Sequence, residues 1–143
     1  MPQPNIVFSP TSKTRQESID FVSNALREHS LMHVSRPGFQ SYETLVHNAE
    51  NKIVGICIAL VNWNWLYISL LWLHVDYRKY GIGSQLLQKV EDFGSSMGCT
   101  DVHLDTFSFQ APEFYRKRSY EVFAQLEDYP PGHTRYFLRK TLQ

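Results

Sequence analysis

Arg78-Lys79-Tyr80-Gly81-Ile82-Gly83-Ser84 is the segment of this 143-residue chain whose residue types and spacing speak most directly of chemistry. Two glycines one residue apart let the backbone approach a ligand closely. They stand where an apolar, strand-like run gives way to a periodic, helix-like one. The first amides of a helix have no partner within it, and the positive end of the helix dipole lies behind them. Both favour a bound anion, phosphate above all. Arg78 sets a fixed positive charge just ahead of the glycines. The expected ligand is therefore phosphorylated.

Two known phosphate loops do not fit. The nucleoside-triphosphate loop needs G-x-x-x-x-G-K-[ST], and the sequence holds no Gly-Lys-Ser or Gly-Lys-Thr. The dinucleotide fingerprint G-x-G-x-x-G meets Leu86 where its third glycine belongs. Asp101 lies at about the right distance for a ribose-binding carboxylate, but too little chain follows it for the rest of such a domain. The pattern Arg78-x-x-Gly81-x-Gly83 remains, beside the plain alternative of a turn that needs glycine for geometry alone.

The surrounding elements must position that loop. Leu66 to Leu73 is an almost unbroken apolar run, as expected of a strand covered on both faces. After the loop, Leu86, Leu87, Val90, Phe93 and Met97 recur at helical spacing, and Gly98 is placed to end that helix. Asp101 to Asp105 reads as a further strand, and Ala111 to Lys117 as a short helix with Pro112 near its start. Upstream, Asn5 to Phe8 is expected as a first strand and Ser18 to His29 as a helix. Arg36-Pro37-Gly38 is expected in a loop at the substrate mouth. Tyr42 to His47 and Ile53 to Val61 are expected to form a hairpin around Glu50-Asn51-Lys52, and two strands close the chain. This order predicts an α/β protein with a mixed sheet, in one domain spanning 1–143.

Leu71-Trp72-Leu73-His74-Val75-Asp76-Tyr77-Arg78-Lys79-Tyr80-Gly81-Ile82-Gly83 resembles the central strand and acetyl-CoA loop of the GNAT N-acetyltransferases. Ala111-x-x-Phe114-Tyr115-x-Lys117-x-Ser119-Tyr120 is similar to the later helix–strand signature of that family. The stretches Asp105 to Pro112 and Asp128 to His133 resemble a bacterial subgroup of small stand-alone members. Similarity runs from about Ile53 to Leu142. The resemblance implies the acyl-CoA N-acyltransferase fold, a central mixed sheet with helices on both faces.

It further implies acetyl-CoA as co-substrate. The amides of Arg78, Lys79, Tyr80, Gly81, Ile82, Gly83 and Ser84 would take its pyrophosphate, and the backbone of Trp72, Leu73 and His74 its pantetheine arm. Tyr115 matches the tyrosine that protonates the departing thiolate. A phenol suits that role, since its ordinary pKa of about 10 keeps it protonated at neutral pH. An aromatic on a core helix face is the plain alternative. Tyr67 and Ser69 occupy the strand region where relatives often carry a glutamate base, and with Asp128 and His133 they are the expected substrate-side residues. Glu113, Asp105, Asp128 and His133 are candidate bases. Ser119 stands where glycine usually follows the tyrosine helix and is expected to strain the turn or alter its cap. Val75 and Ser108 replace the usual Pro and Asn.

Composition narrows the class. The chain has 14 basic and 14 acidic residues, which argues against a nucleic-acid binder. Cys57 and Cys99 are expected to be buried free thiols rather than nucleophiles. His29 and His33 are four apart, but no third ligand accompanies them, so no metal is expected. Trp63, Trp65, Tyr67 and Trp72 are read mainly as buried hairpin and strand residues. No secretory signal and no membrane-length apolar stretch is visible, so a cytoplasmic protein without membrane contact is expected. The leading expectation is acetyl transfer to the primary amine of a small molecule. A protein lysine or N-terminal acetyltransferase and a non-catalytic acyl-CoA-binding module are the alternatives. The terminal strands offer a route to a homodimer.

Overall fold

The computed structural model describes residues 4–8, 15–34 and 39–142. They belong to two compact units, 1–37 and 38–143. The expected loop at Arg36-Pro37-Gly38 lies outside the described residues.

In the first unit, residues 4–8 form no strand, contrary to expectation. A short apolar run has β-propensity, but a strand exists only through a paired neighbour, and these residues have none. Helix α1 covers Arg15–Leu31 and overruns the predicted helix at both ends. Glu17 in its first turn and His29 in its last match the helix dipole. The His29 and His33 rings meet edge to face at 5.0 Å. No cluster of three metal-ligating side chains occurs among the described residues.

The second unit is a six-stranded mixed sheet with helices. Strands β1 (Phe39–His47) and β2 (Ile53–Asn62) form the predicted hairpin. Its turn is closed by Asn48 Oδ1, which accepts from the amides of Glu50 and Lys52, both at 3.0 Å. Strand β3 (Trp65–Leu73) leads through a single 3₁₀ turn, Val75–Tyr77, to helix α2 (Ile82–Ser96). Strand β4 (Asp101–Phe107), helix α3 (Pro112–Arg116) and strands β5 (Glu121–Glu127) and β6 (Thr134–Thr141) follow. The strand order is β1-β2-β3-β4-β6-β5. Every pairing is antiparallel except β3 with β4, where α2 provides the crossover a parallel pair requires.

Period-two alternation selects one sheet face for the core. Cys57, Ala59 and Val61 of β2, Leu66 and Ile68 of β3, Val102 and Leu104 of β4 and Leu138 of β6 are buried there. Leu86, Leu87 and Val90 of α2 pack into the same cluster, as do Tyr115 and Tyr120. Gly94 lets α2 lie close to β3, since a Cβ there would stand 2.9 Å from the Leu66 side chain.

On the other face, within the second unit alone, Leu70 and Trp72 of β3 are exposed. Trp63 is exposed as well, at a turn where its φ is 53°, and Trp65 and Tyr67 are only half-buried. The unbroken apolar run concealed an irregularity. Ile58 pairs with Leu70 and Ala59 with Ile68, so Ser69 is an extra residue in β3. This β-bulge kinks the strand and re-aims the residues after it. No helix among the described residues is long and apolar enough to cross a membrane.

Candidate active site

The site begins where two strands part. Parallel pairing of β3 with β4 runs only from Trp65↔Asp101 through Tyr67↔His103. Beyond it β3 stays on β2 as far as Leu73↔Gly55, and β4 stays on β6 as far as Phe107↔Arg135. The two inner edges therefore diverge directly after Tyr67, close to the Ser69 bulge. Each edge carries backbone groups that a sheet would otherwise pair. The His74 amide donates to the Val54 carbonyl at 2.8 Å. Alternation along the strand then turns the backbone of Leu73 and Leu71 toward the opening, and that of Trp72 toward β2. Of the three backbone positions expected along a pantetheine arm, Leu73 is the one on the open edge. Its carbonyl accepts from Arg78 Nε at 2.9 Å. Leu71 joins it without having been singled out in the sequence.

The loop after β3 has the geometry its glycines foretell. Lys79 and Gly81 lie in the left-handed region, at φ 68° and 78°, and Gly81 is the residue ahead of α2. No side chain caps that helix. Its first internal bond is Gln85 N–H to the Gly81 carbonyl, at 3.1 Å. The amides of Ile82, Gly83 and Ser84 are thus left facing out of the helix end. A Cβ at Gly83 would stand 3.2 Å from the Phe114 ring. Any side chain at Gly83 would therefore press on the Phe114 ring of α3, and its absence also leaves the backbone open to a ligand. A bare turn would need Gly81 for its backbone, but would have no use for an uncapped, outward-facing set of amides. These residues fit a pyrophosphate, and the unpaired β3 edge fits an amide-bearing arm.

Tyr115 lies on α3 with only 7% of its surface exposed. Its ring meets Phe114 at 5.1 Å and Tyr120 at 5.7 Å, both edge to face. Its hydroxyl has no hydrogen-bond partner among the described residues. Burial raises its pKa above the ordinary phenol value, and the nearby Cys57 and Asp105 push in the same direction. Cys57 lies on β2 opposite Leu71, and Asp105 lies on β4. The phenol is thus held protonated within electrostatic reach of both sides of the opening. Cys57 is fully buried, and burial pushes its thiol up to about 12. A thiol so placed is not a thiolate at neutral pH and cannot serve as an acyl-accepting nucleophile.

The β4 side is built from side chains. Arg135 Nε and a terminal nitrogen donate to Asp105 Oδ1 at 3.0 and 2.7 Å. Tyr67 donates more weakly to Asp105 Oδ2, at 3.4 Å. The Tyr67 ring stacks on His103 at 4.9 Å. Burial lowers the His103 pKa, with Asp105 opposing, which favours a neutral imidazole. Arg135 also lies over the rings of Phe107, Tyr129 and Phe137.

The remaining expected residues are dispersed. Ser69 donates to the Ile58 carbonyl at 3.3 Å across the bulge. Asp128 has φ 57° and its carboxylate accepts from the Gly132 amide at 2.9 Å, within its own turn. His133 packs edge to face on Phe109 at 5.0 Å. Glu113 pairs with Arg116 on an exposed helix face. Among the four candidate bases, Asp105 is the one brought to the opening. Arg135 and Arg118, which bonds to the loop residue Ser84, carry no sequence signal. Their partners are distant in the chain, and no local motif announces them.

Known proteins are similar to this chain in sequence and fold. The model of the acetyltransferase (GNAT) family matches residues 14–120. A blasticidin-S acetyltransferase from Streptomyces morookaense is 35% identical over 119 residues, covering 82% of this chain and 86% of that protein. A crystal structure of an acetyltransferase from Bacillus cereus superposes with a TM-score of 0.83 at 31% identity, covering 96% of this chain and 98% of the other. An aminoglycoside 6'-N-acetyltransferase solved with coenzyme A superposes with a TM-score of 0.63 at 16% identity, covering 96% and 98%, and shows the fold alone.

Proposed function

Because the chain belongs to the GNAT acetyltransferase family, whose co-substrate is acetyl-CoA, we propose that it transfers acetyl to the primary amine of a small molecule, with Tyr115 as general acid. The observation that carries this reading is the divergence of β3 and β4 after Tyr67↔His103, with an uncapped loop at one end and the protonated Tyr115 in reach. The small-molecule acceptor is favoured by the blasticidin-S acetyltransferase relative, which shares most of its length with this chain.

Acetyl-CoA supplies an activated acyl group as a thioester. The amides of the Arg78–Ser84 loop hold its pyrophosphate, and the open edge at Leu71 and Leu73 pairs with its arm. A neutral amine enters from the β4 side, oriented by Asp105 Oδ2. Its nitrogen lone pair forms the new C–N bond at the carbonyl carbon. As the C–S bond breaks, its electron pair goes to sulfur and Tyr115 O–H donates the proton there. The proton shed by the new amide restores Tyr115, so the products are an N-acetylated amine and the free thiol. No covalent enzyme species is needed, in keeping with the protonated, buried Cys57.

The test is thiol release with acetyl-CoA across a panel of amine-bearing small molecules and lysine peptides. Turnover of small amines, abolished in Tyr115→Phe with acetyl-CoA binding retained, is the expected result. Turnover of peptides alone would overturn the acceptor class, and full activity of Tyr115→Phe would overturn the acid assignment.

A further inference from the structure

Arg118 follows α3 by two residues and reaches back to the phosphate loop. Its Nε donates to Ser84 Oγ at 2.7 Å, and a terminal nitrogen donates to the same oxygen. Its other terminal nitrogen donates to the Phe114 carbonyl at 2.6 Å. The guanidinium lies over the Phe114 ring, its central carbon 3.7 Å from the ring centroid. No carboxylate pairs with it among the described residues. This cation sits at the positive end of α2, where a helix dipole disfavours it unless an anion is also present. A groove of about 460 Å³ opens beside it, lined in part by Ser84, Gln88, Lys117, Arg118 and Lys140.

A hydroxyl has one proton to donate and two lone pairs to accept with. Both donors of the guanidinium converge on Ser84 Oγ from the same side, so the hydroxyl proton must turn away from Arg118. That O–H finds no acceptor among the described residues. Ser84 stands in the first turn of α2, where side chains tilt toward the helix N-terminus. We propose that Arg118 is a positioning residue for the cofactor: its fork makes the Ser84 hydroxyl an obligate donor, aimed at the phosphate held by the start of α2. The other terminal nitrogen of the same guanidinium joins the loop to the Phe114 carbonyl, next to Tyr115. This inference rests on the acetyl-CoA site proposed above.

The test measures acetyl-CoA affinity by calorimetry for Ser84→Ala, Arg118→Gln, Arg118→Lys and the Ser84→Ala/Arg118→Gln double variant. Each single variant should weaken binding about tenfold, the scale of one charge-assisted hydrogen bond. The double variant should be no weaker than either single one, because both remove the same contact. Arg118→Lys should resemble Arg118→Gln, since an ammonium keeps the charge but cannot supply the fork. Turnover with acetyl-pantetheine, which lacks the phosphates, should change less than about twofold in all of them. Additive losses in the double variant, normal binding by Arg118→Lys, or equal losses with acetyl-pantetheine would each overturn the inference. If the unaltered protein bound no acetyl-CoA, the cofactor reading would fall with it. Unaltered binding with additive variants overturns the Arg118 role alone.

Discussion

The two edges of the opening between β3 and β4 are made of different materials. The β3 edge, with the loop that follows it, is made of backbone: the amides and carbonyls of Leu71 and Leu73 and the amides at the start of α2, freed by Gly81 and Gly83. The β4 edge adds side chains to its own backbone: Asp105 held by Arg135, and His103 stacked with Tyr67 of β3. Backbone groups recognise what every cofactor molecule shares. Side chains can change the acceptor without disturbing the cofactor. The division predicts that substitutions on the two edges separate kinetically, and Tyr115 lies in reach of both.

The largest effect is expected where the edges meet. Tyr115→Phe keeps the ring packing with Phe114 and Tyr120 and removes only the proton donor. Its kcat should fall by ~10²–10³-fold, the usual scale of general-acid catalysis, while calorimetry shows acetyl-CoA affinity unchanged within about twofold. A loss of binding equal to the loss of rate would merge the two edges into one site and break the comparison.

Next come the edges themselves. Gly83→Val drives a branched side chain into the Phe114 ring, which a Cβ alone would approach to 3.2 Å. Acetyl-CoA affinity should fall at least about tenfold, which corresponds to roughly 1.4 kcal/mol, with the circular dichroism spectrum retained. Asp105→Asn should do the reverse. It removes the charge held by Arg135, so KM for the amine should rise by about tenfold with acetyl-CoA affinity unaltered. A shift in acetyl-CoA affinity in Asp105→Asn would deny that the β4 edge serves the acceptor.

The buried thiol near Tyr115 sharpens the comparison through pH. Cys57 has its pKa raised from 9.0 to about 12 by burial, so above pH 9 the unfolded chain binds fewer protons than the folded one. Its stabilising contribution is full below pH 9 and is lost between pH 9 and about 12. Tyr115 is shifted in the same direction and adds to the loss above the ordinary phenol range. Unfolding free energy from urea titrations should rise with pH through the ordinary imidazole range, where His103 is protonated more readily in the unfolded chain, and level off before pH 9. Above pH 9 Cys57 should contribute a fall of about 1.4 kcal/mol per pH unit. Cys57→Ala should remove that component. An unchanged slope would mean that Cys57 ionises freely in the folded protein, reopening it as a nucleophile.

The backbone-made edge was legible in the sequence because its chemistry constrains residue type. Glycine serves most easily at φ 78°, and at Gly83 any side chain would crowd Phe114. The expected elements from α1 onward lie where spacing put them: α1, the β1–β2 hairpin, β3, α2, β4, α3 and the two closing strands β5 and β6. The rest was hidden for physical reasons. Asp105 and Arg135 are thirty residues apart and meet only through the β4–β6 register. Arg118 and Ser84 are 34 apart and meet only because α3 packs on the start of α2. Ser69 read as a strand residue facing substrate, but an extra residue in a strand has no signature in an apolar run, and the bulge appears only in the pairing. Asn5 to Phe8 had the propensity for a strand and lacked a partner.

The smallest effect concerns two helix ends built to the same plan. After α2, the Cys99 amide bonds to the Gly94 carbonyl at 2.9 Å and the Gly98 amide to the Ser95 carbonyl at 3.1 Å, a Schellman cap with Gly98 at φ 85°. After α3, the Tyr120 amide bonds to the Tyr115 carbonyl and the Ser119 amide to the Arg116 carbonyl, both at 3.1 Å, with Ser119 at φ 71°. The geometry is the same, but a Cβ is held in the left-handed region at the second, as the sequence led us to expect. The Tyr120 hydroxyl donates to the buried Glu91 at 2.6 Å, and Lys140 pairs with the same carboxylate at 3.0 Å. That anchor holds the strained turn in place. Ser119→Gly relieves a cost of about 1–2 kcal/mol, partly offset by the added freedom of the unfolded chain. The net gain should be ~0.5–1 kcal/mol, or about 2–4 °C in Tm, with kcat within about twofold. A gain in stability accompanied by a fall in kcat would show that the strained serine helps to set Tyr115, since the carbonyl bonded in this cap is that of Tyr115 itself.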